Sequence, residues 1–230
     1  MPTYLITGAN RGIGLELVRQ LAGRGDVVVA TVRDRARAAD LDDLAARTGR
    51  VTVAELDAAS EASANALSAT LAGRPLDVLV NNAGVLNSYG GFTDPSHDEK
   101  AWHDVLMTNV AGPFFVSRAL HANLKAGSLK KLVFISSVMG SSTRARGGSY
   151  PYRASKAAIT NIALGLSHEL KPDGIAVAAF HPGWVKTSMG GSGADITVEQ
   201  SAAGLIARID HLTLATTGVF EDYKGEPIPI

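Results

Sequence analysis

The amino-acid sequence predicts one α/β domain spanning 1–230, a doubly wound parallel sheet of seven strands with helices on both faces. Three observations carry that prediction. Short apolar runs alternate with longer helix-like stretches along the whole chain. The runs are nearly continuous in Val, Ile and Leu, without apolar/polar alternation, as suits strands buried on both faces. Finally, strand, helix, strand in steady succession argues crossover helices and a parallel sheet, with ligands at the carboxyl ends of the strands. Hydrophobic residues make up 46% and charged residues 19%, which supports a sizeable core and excludes a disordered chain. No linker, repeat or low-complexity tract marks a second domain.

In chain order the strand candidates are Tyr4–Thr7, Val27–Val32, Val51–Glu55, Val78–Asn81, Leu132–Ser136, Ile175–Phe180 and Gly218–Phe220. Helix-like stretches fall at 13–24, 36–47, 60–72, 99–126, 152–171 and 198–210. Two local signals fix boundaries. Thr197 with Gln200 three residues later reads as a capping box opening the last helix. Gly174, after Lys171-Pro172-Asp173, reads as a helix stop before the sixth strand.

Composition narrows the partners. Lys plus Arg and Asp plus Glu are both 22, so nothing global draws the chain to nucleic acid or an anionic membrane. Cysteine is absent, which excludes disulfides and thiolate metal sites. His103, His121, His168, His181 and His211 show no metal-ligand spacing, so no metal is expected. No apolar run approaches the roughly 20 residues that span a bilayer, and MPTYLITGAN lacks a secretory leader pattern. The expectation is a cytoplasmic protein with no membrane partner.

The chemistry begins where the first strand meets a helix. Thr7 leads into Gly8, Asn10, Arg11, Gly12, Ile13 and Gly14, spaced G-x-x-x-G-x-G. Glycines let the backbone turn tightly against a pyrophosphate, and the helix amino terminus beyond supplies free N–H groups and a positive dipole end. After the second strand comes Arg33, then Asp34. An acid here would hold an adenine ribose 2′-hydroxyl, as in NAD binding, whereas arginine accommodates a 2′-phosphate. Arg11 and Arg33 converging on one place favour NADP(H) over NAD(H). The bland alternative is a solvated basic patch.

Tyr152 and Lys156 stand at i and i+4, on one face of a helix. A phenol of pKa about 10 is a poor acid/base at neutral pH, and a nearby ammonium is expected to lower it. Tyr150 has no lysine four residues on, and Pro151 falls where a helix start tolerates it. Alone, this spacing is weak and reads more readily as a surface helix pair than as a catalytic one. Around it, though, strand five ends in Ser136-Ser137, strand four in Asn81-Asn82-Ala83-Gly84, and helix four carries Asn109.

The ordered set TGANRGIG, NNAG, Asn109, ISS, YRASK and HPG resembles the short-chain dehydrogenase/reductase family over essentially the whole chain. GANRGIGLELVRQL, SSVMGS and FHPGWVKTSMGG resemble its carbonyl-reductase-like branch, which includes sniffer and C-factor proteins. The resemblance implies a Rossmann fold and NADPH-dependent reduction of an aldehyde or ketone. Tyr152 would be the general acid/base, Lys156 would hold the nicotinamide ribose, Ser137 would bond the substrate carbonyl, and Asn109 would hold a water. Leu56 and Asp57 would contact the adenine, and Asn81, Ala83 and Gly84 would line the cofactor channel. Pro182, Gly183, Val185 and Thr187 would position the nicotinamide.

Two departures stand out. TRARGGS lengthens the span between Ser137 and Tyr152, so Ser136, Ser141 or Ser142 could replace Ser137. The loop SMGGSGADI is short and glycine-rich where many relatives carry a longer lid. The resemblance also implies a homodimer or homotetramer built on segments 99–126 and 152–171. The alternatives are an NAD-dependent alcohol dehydrogenase and a C-factor-like dinucleotide-binding signalling protein.

Overall fold

Seven strands, β1 (Thr3–Ile6), β2 (Val27–Val32), β3 (Val51–Glu55), β4 (Val78–Asn81), β5 (Lys131–Ile135), β6 (Ala176–His181) and β7 (Val219–Asp222), form one sheet in a computed structural model describing residues 1–230. Their order is β3-β2-β1-β4-β5-β6-β7 and every neighbouring pair is parallel. This is the Rossmann-like sheet the sequence predicts. Leu5 pairs with Val29 on one side and Leu79 on the other, so β1 lies at the centre. Strand order reverses between β1 and β4, and such a switch point opens a crevice at the strand carboxyl ends.

The helices are α1 (Gly12–Arg24), α2 (Ala39–Thr48), α3 (Glu61–Leu71), α4 (Glu99–Leu106), α5 (Gly112–Ala119), α6 (His121–Ala126), α7 (Tyr150–Glu169) and α8 (Val198–His211). Alternate strand residues feed two cores. Tyr4, Ile6, Val28 and Ala30 pack with Leu17 and Leu21 of α1 and Leu205 and Ile209 of α8. Leu5, Val29 and Leu79 pack with Leu67 of α3, Val116 of α5 and Ile159 of α7 on the other face. Both faces are therefore dry, which is why the strands read as unbroken apolar runs. No helix is long and apolar enough to cross a membrane.

The bounds of several predicted elements shift by a few residues, and three changes stand out. The stretch 99–126 is not one helix: a π-helical turn (Met107–Ala111) follows α4, and α5 and α6 are separate. Pro113 has no N–H to give Asn109, and the Gly112 N–H bonds to the Met107 carbonyl instead. A Cβ at Gly112 would also strike the Ala58 backbone. At the other end of that segment, β5 starts at Lys131 rather than Leu132. Its buried ammonium donates to the Ile209 and Asp210 carbonyls at 2.8 and 3.0 Å, at the α8 carboxyl end. Lastly, α7 begins at Tyr150, with Pro151 in its first turn, and ends at Glu169. The capping box forms as expected, with Gln200 N to Thr197 Oγ1 at 3.3 Å and Thr197 N to Gln200 Oε1 at 3.0 Å. Gly174 ends the following short turn in the left-handed region, at φ 77°.

Candidate active site

The turn after β1 is held against the end of β4 by reciprocal hydrogen bonds. Thr7 Oγ1 accepts from the Asn82 and Ala83 amides at 3.0 and 2.9 Å. Asn82 Nδ2 donates back to the Thr7 and Gly8 carbonyls at 2.9 and 3.2 Å. That closeness is what demands glycine. A Cβ at Gly8, whose φ is +64°, would lie 2.9 Å from Ala83 Cα. One at Gly14 would lie 2.6 Å from Asn82 Nδ2 and would strike the Gly8 carbonyl. Beyond the turn, α1 starts with no side-chain cap and no acid in its first turn. Its amino-terminal N–H groups and positive dipole end are thus available to an anion.

A cleft of about 430 Å³ opens along this turn and continues to α7. The residues predicted from sequence that line it are Gly8, Asn10, Arg11, Gly12, Ile13, Gly14, Arg33, Leu56, Asp57, Ala83, Gly84, Tyr152, Lys156, Pro182 and Thr187. Arg11 and Arg33 both face it, and neither forms a salt bridge. Arg11 Nη1 donates to Ser188 Oγ at 3.3 Å. Asp34 also borders the cleft, but its carboxylate caps the short helix Arg35–Arg37, accepting from Ala36 N at 3.0 Å, and pairs with Arg37 at 3.4 Å. The acid that complicates the sequence reading is therefore engaged in its own turn.

Five expected residues lie outside the lining. Asn81 is a correction: successive strand side chains point to opposite faces, and Asn81 turns away, donating to Ser117 Oγ at 3.0 Å. Its buried Oδ1 has no partner. Asn82, missed in the sequence reading, is the asparagine that serves the cleft. Gly183, with φ +86°, is required because a Cβ would lie 2.5 Å from Ile196 Cδ1. Val185 is buried and bridges to Ile196, so these two shape the loop that carries Pro182 and Thr187. Asn109, in the π-helical turn, is buried and anchors Val85. Its Oδ1 accepts from Val85 N at 2.8 Å, and its Nδ2 donates to Val85 O at 2.9 Å and Ser155 Oγ at 3.0 Å. Both N–H donors are spent, leaving one Oδ1 lone pair.

Ser137 is the fifth. It caps the turn Val138–Gly140, its hydroxyl accepting from Met139 N at 3.1 Å, and it lies close enough to Tyr152 to pull that phenol's pKa down. Of its rivals, Ser142 is exposed, while Ser136, which lines the cleft, and Ser141 both have engaged hydroxyls. Ser136 Oγ bonds the Lys156 carbonyl and Thr160, at 3.1 and 2.7 Å, and Ser141 Oγ donates to the Pro229 carbonyl. Tyr150 packs edge-on against His97 and Phe92, at 5.6 and 6.4 Å between ring centroids, away from Lys156. His97, passed over in the sequence, bonds Ser88 Oγ at 3.1 Å and the Gly90 carbonyl at 2.8 Å, fixing the loop that Tyr150 leans on.

The Tyr152–Lys156 pair corrects one expectation. Lys156 Nζ sits 5.5 Å from the Tyr152 ring centroid and donates to the Ile135 carbonyl at 2.8 Å. Burial holds the lysine down at about 8. The tyrosine is pushed up to about 12, because burial outweighs the lowering hydrogen bond from Ser137, and Tyr89 adds to the rise. The ring keeps some exposure to the cleft, yet protein surrounds it. In the chain by itself, then, the lysine does not bring the phenol toward neutrality.

Fold and site define a Rossmann-fold oxidoreductase. Residues 2–195 match the short chain dehydrogenase family, and the chain belongs to that family. C-signal of Myxococcus xanthus is 36% identical over 156 residues, covering 67% of this chain and 93% of that relative. The NADPH-bound carbonyl reductase from chicken fatty liver superposes with a TM-score of 0.91 at 32% identity, over 100% of this chain and 99% of that one. Carbonyl reductase Sniffer of D. melanogaster superposes with a TM-score of 0.92 at 31% identity, over 100% of both chains.

Proposed function

We propose that this protein reduces the carbonyl group of an aldehyde or ketone with NADPH. The observation that carries the proposal is the placement of Tyr152, next to Ser137 and one helical turn from Lys156, in a cleft that also presents Arg11 and Arg33 without acidic partners. A phenol at about 12 is neutral at physiological pH, the form a proton donor to a carbonyl needs. The cleft residues fit a dinucleotide phosphate: the glycine turn and the uncapped α1 terminus would hold the pyrophosphate, and Arg11 with Arg33 the 2′-phosphate. Leu56 and Asp57 would contact the adenine. The chicken carbonyl reductase, which carries NADPH, supports the same choice.

When bound, the nicotinamide supplies the hydride. The chain's own residues would do the rest. The Ser137 hydroxyl would hydrogen-bond the carbonyl oxygen and Tyr152 would deliver the proton to it. Lys156 would grip the ribose and, as an ammonium, stabilise the phenolate left behind. Asn109 would keep Val85 and Ser155 in place beside them. The likeness to C-signal favours a second reading, dinucleotide binding in signalling. Assay of NADPH oxidation across a panel of aldehydes and ketones separates the two. Turnover should favour NADPH over NADH, and Arg33→Ala should weaken NADPH binding far more than NADH binding. Equal losses for both cofactors, or no turnover with any carbonyl, would sink the proposal.

A further inference from the structure

We propose that the loop joining Ser137 to Tyr152 is an anion-binding rim, and that the carbonyl substrate carries a carboxylate or similar anionic group. This rests on the reductase reading and narrows its substrate class. The segment 141–149 leaves the turn capped by Ser137 and enters α7 at Tyr150, so it joins the two elements that carry Ser137 and Tyr152. It carries the exposed Arg144 and Arg146, and Arg153 directly follows Tyr152. None of the three pairs with a carboxylate, whereas Arg19, Arg24 and Arg118 each do.

The rim is seated rather than loose. Arg153 Nη2 donates to the Arg144 carbonyl at 3.3 Å, and Ser149 N donates to the Gly90 carbonyl at 3.1 Å. The acids of the loop it leans on accept from backbone amides and pair with none of the three arginines. Asp94 accepts from Ser96 N at 2.8 Å, and Asp98 caps α4 through Ala101 N at 2.7 Å. The charge of Arg144 also reaches the carboxyl end of β6. It helps burial and Lys156 hold His181, the last residue of β6, down at about 4, against the opposing pull of Asp222. Unpaired guanidiniums beside a cleft bind carboxylates through charge-assisted forks and concentrate anions near it.

The test uses the full chain with NADPH and a matched pair, benzaldehyde and para-carboxybenzaldehyde. The carboxylate substrate should have the higher kcat/KM by about 10-fold, the scale of one charged hydrogen bond, and added salt should shrink that ratio. The double variant Arg144→Ala/Arg146→Ala should bring the ratio near one. Arg47→Ala, on α2 and paired with Asp43, should leave it intact. A ratio near one in the parent chain, or one the double variant leaves unchanged, overturns the proposal. Calorimetric binding of the two corresponding alcohols to the chain with NADP+ reads the same preference without turnover. Discrimination between the alcohols, with neither aldehyde reduced, would uphold the rim and overturn the reductase reading alone.

Discussion

Lys156 is buried to 5% exposure with its ammonium on a single backbone carbonyl, and that position has a measurable consequence. Its proton is held less tightly in the folded chain, at about 8, than at the ordinary 10.5 of a free lysine. Between those values the unfolded chain binds the extra proton, so stability rises with pH and is lost again as pH falls through about 8. Relative to Lys156→Met, the parent chain should gain on the order of 3 kcal/mol across that window. Denaturant unfolding of both proteins at stepped pH checks it, and a constant difference would contradict the burial. Spacing alone placed Tyr152 and Lys156 on one face, and the structure puts both in the cleft. The proton affinity of Tyr152 was not legible, because burial is a property of the packed chain and not of a five-residue pattern. Asn81 against Asn82 is a similar case. Both sit at the end of one strand, and only the pleat decides which faces the cleft.

At the level of elements, the glycine turn and α1 act as one rigid piece. Gly14→Ala would drive a methyl into the Gly8 carbonyl and against Asn82 Nδ2 at 2.6 Å. Overpacking of this kind costs about 1–3 kcal/mol, and here it would also spread the turn from β4. The expected result is a lowered Tm together with loss of NADPH binding in a fluorescence titration. Unchanged binding would show that the turn does not hold the cofactor. Strands were read well from sequence because both sheet faces are dry, leaving apolar runs that nothing interrupts. The stretch 99–126 was misread as one helix, although Gly112-Pro113 lay within it as a visible stop signal. The π-helical turn that results sets Asn109 between Val85 and Ser155, and no local pattern announces that contact.

For the whole molecule, the switch between β1 and β4 places the glycine turn, Arg33, Asp57 and Tyr152 along one cleft. That arrangement was legible as soon as the motifs were ordered along a parallel sheet. Assembly is a separate expectation: light scattering at micromolar concentration should give a dimer or tetramer mass, and a monomer mass would contradict it. On the proposed function Tyr152, not its neighbour Tyr150, delivers the proton. Removing one hydroxyl at a time tests it most directly, with NADPH turnover measured on a reducible aldehyde. Tyr152→Phe should keep its fold and its NADPH affinity while turnover falls by about 100-fold or more, the usual loss for a general acid. Tyr150→Phe, whose ring rests on His97 and Phe92, should turn over near the parent rate. Turnover that survives in Tyr152→Phe and vanishes in Tyr150→Phe would contradict the account.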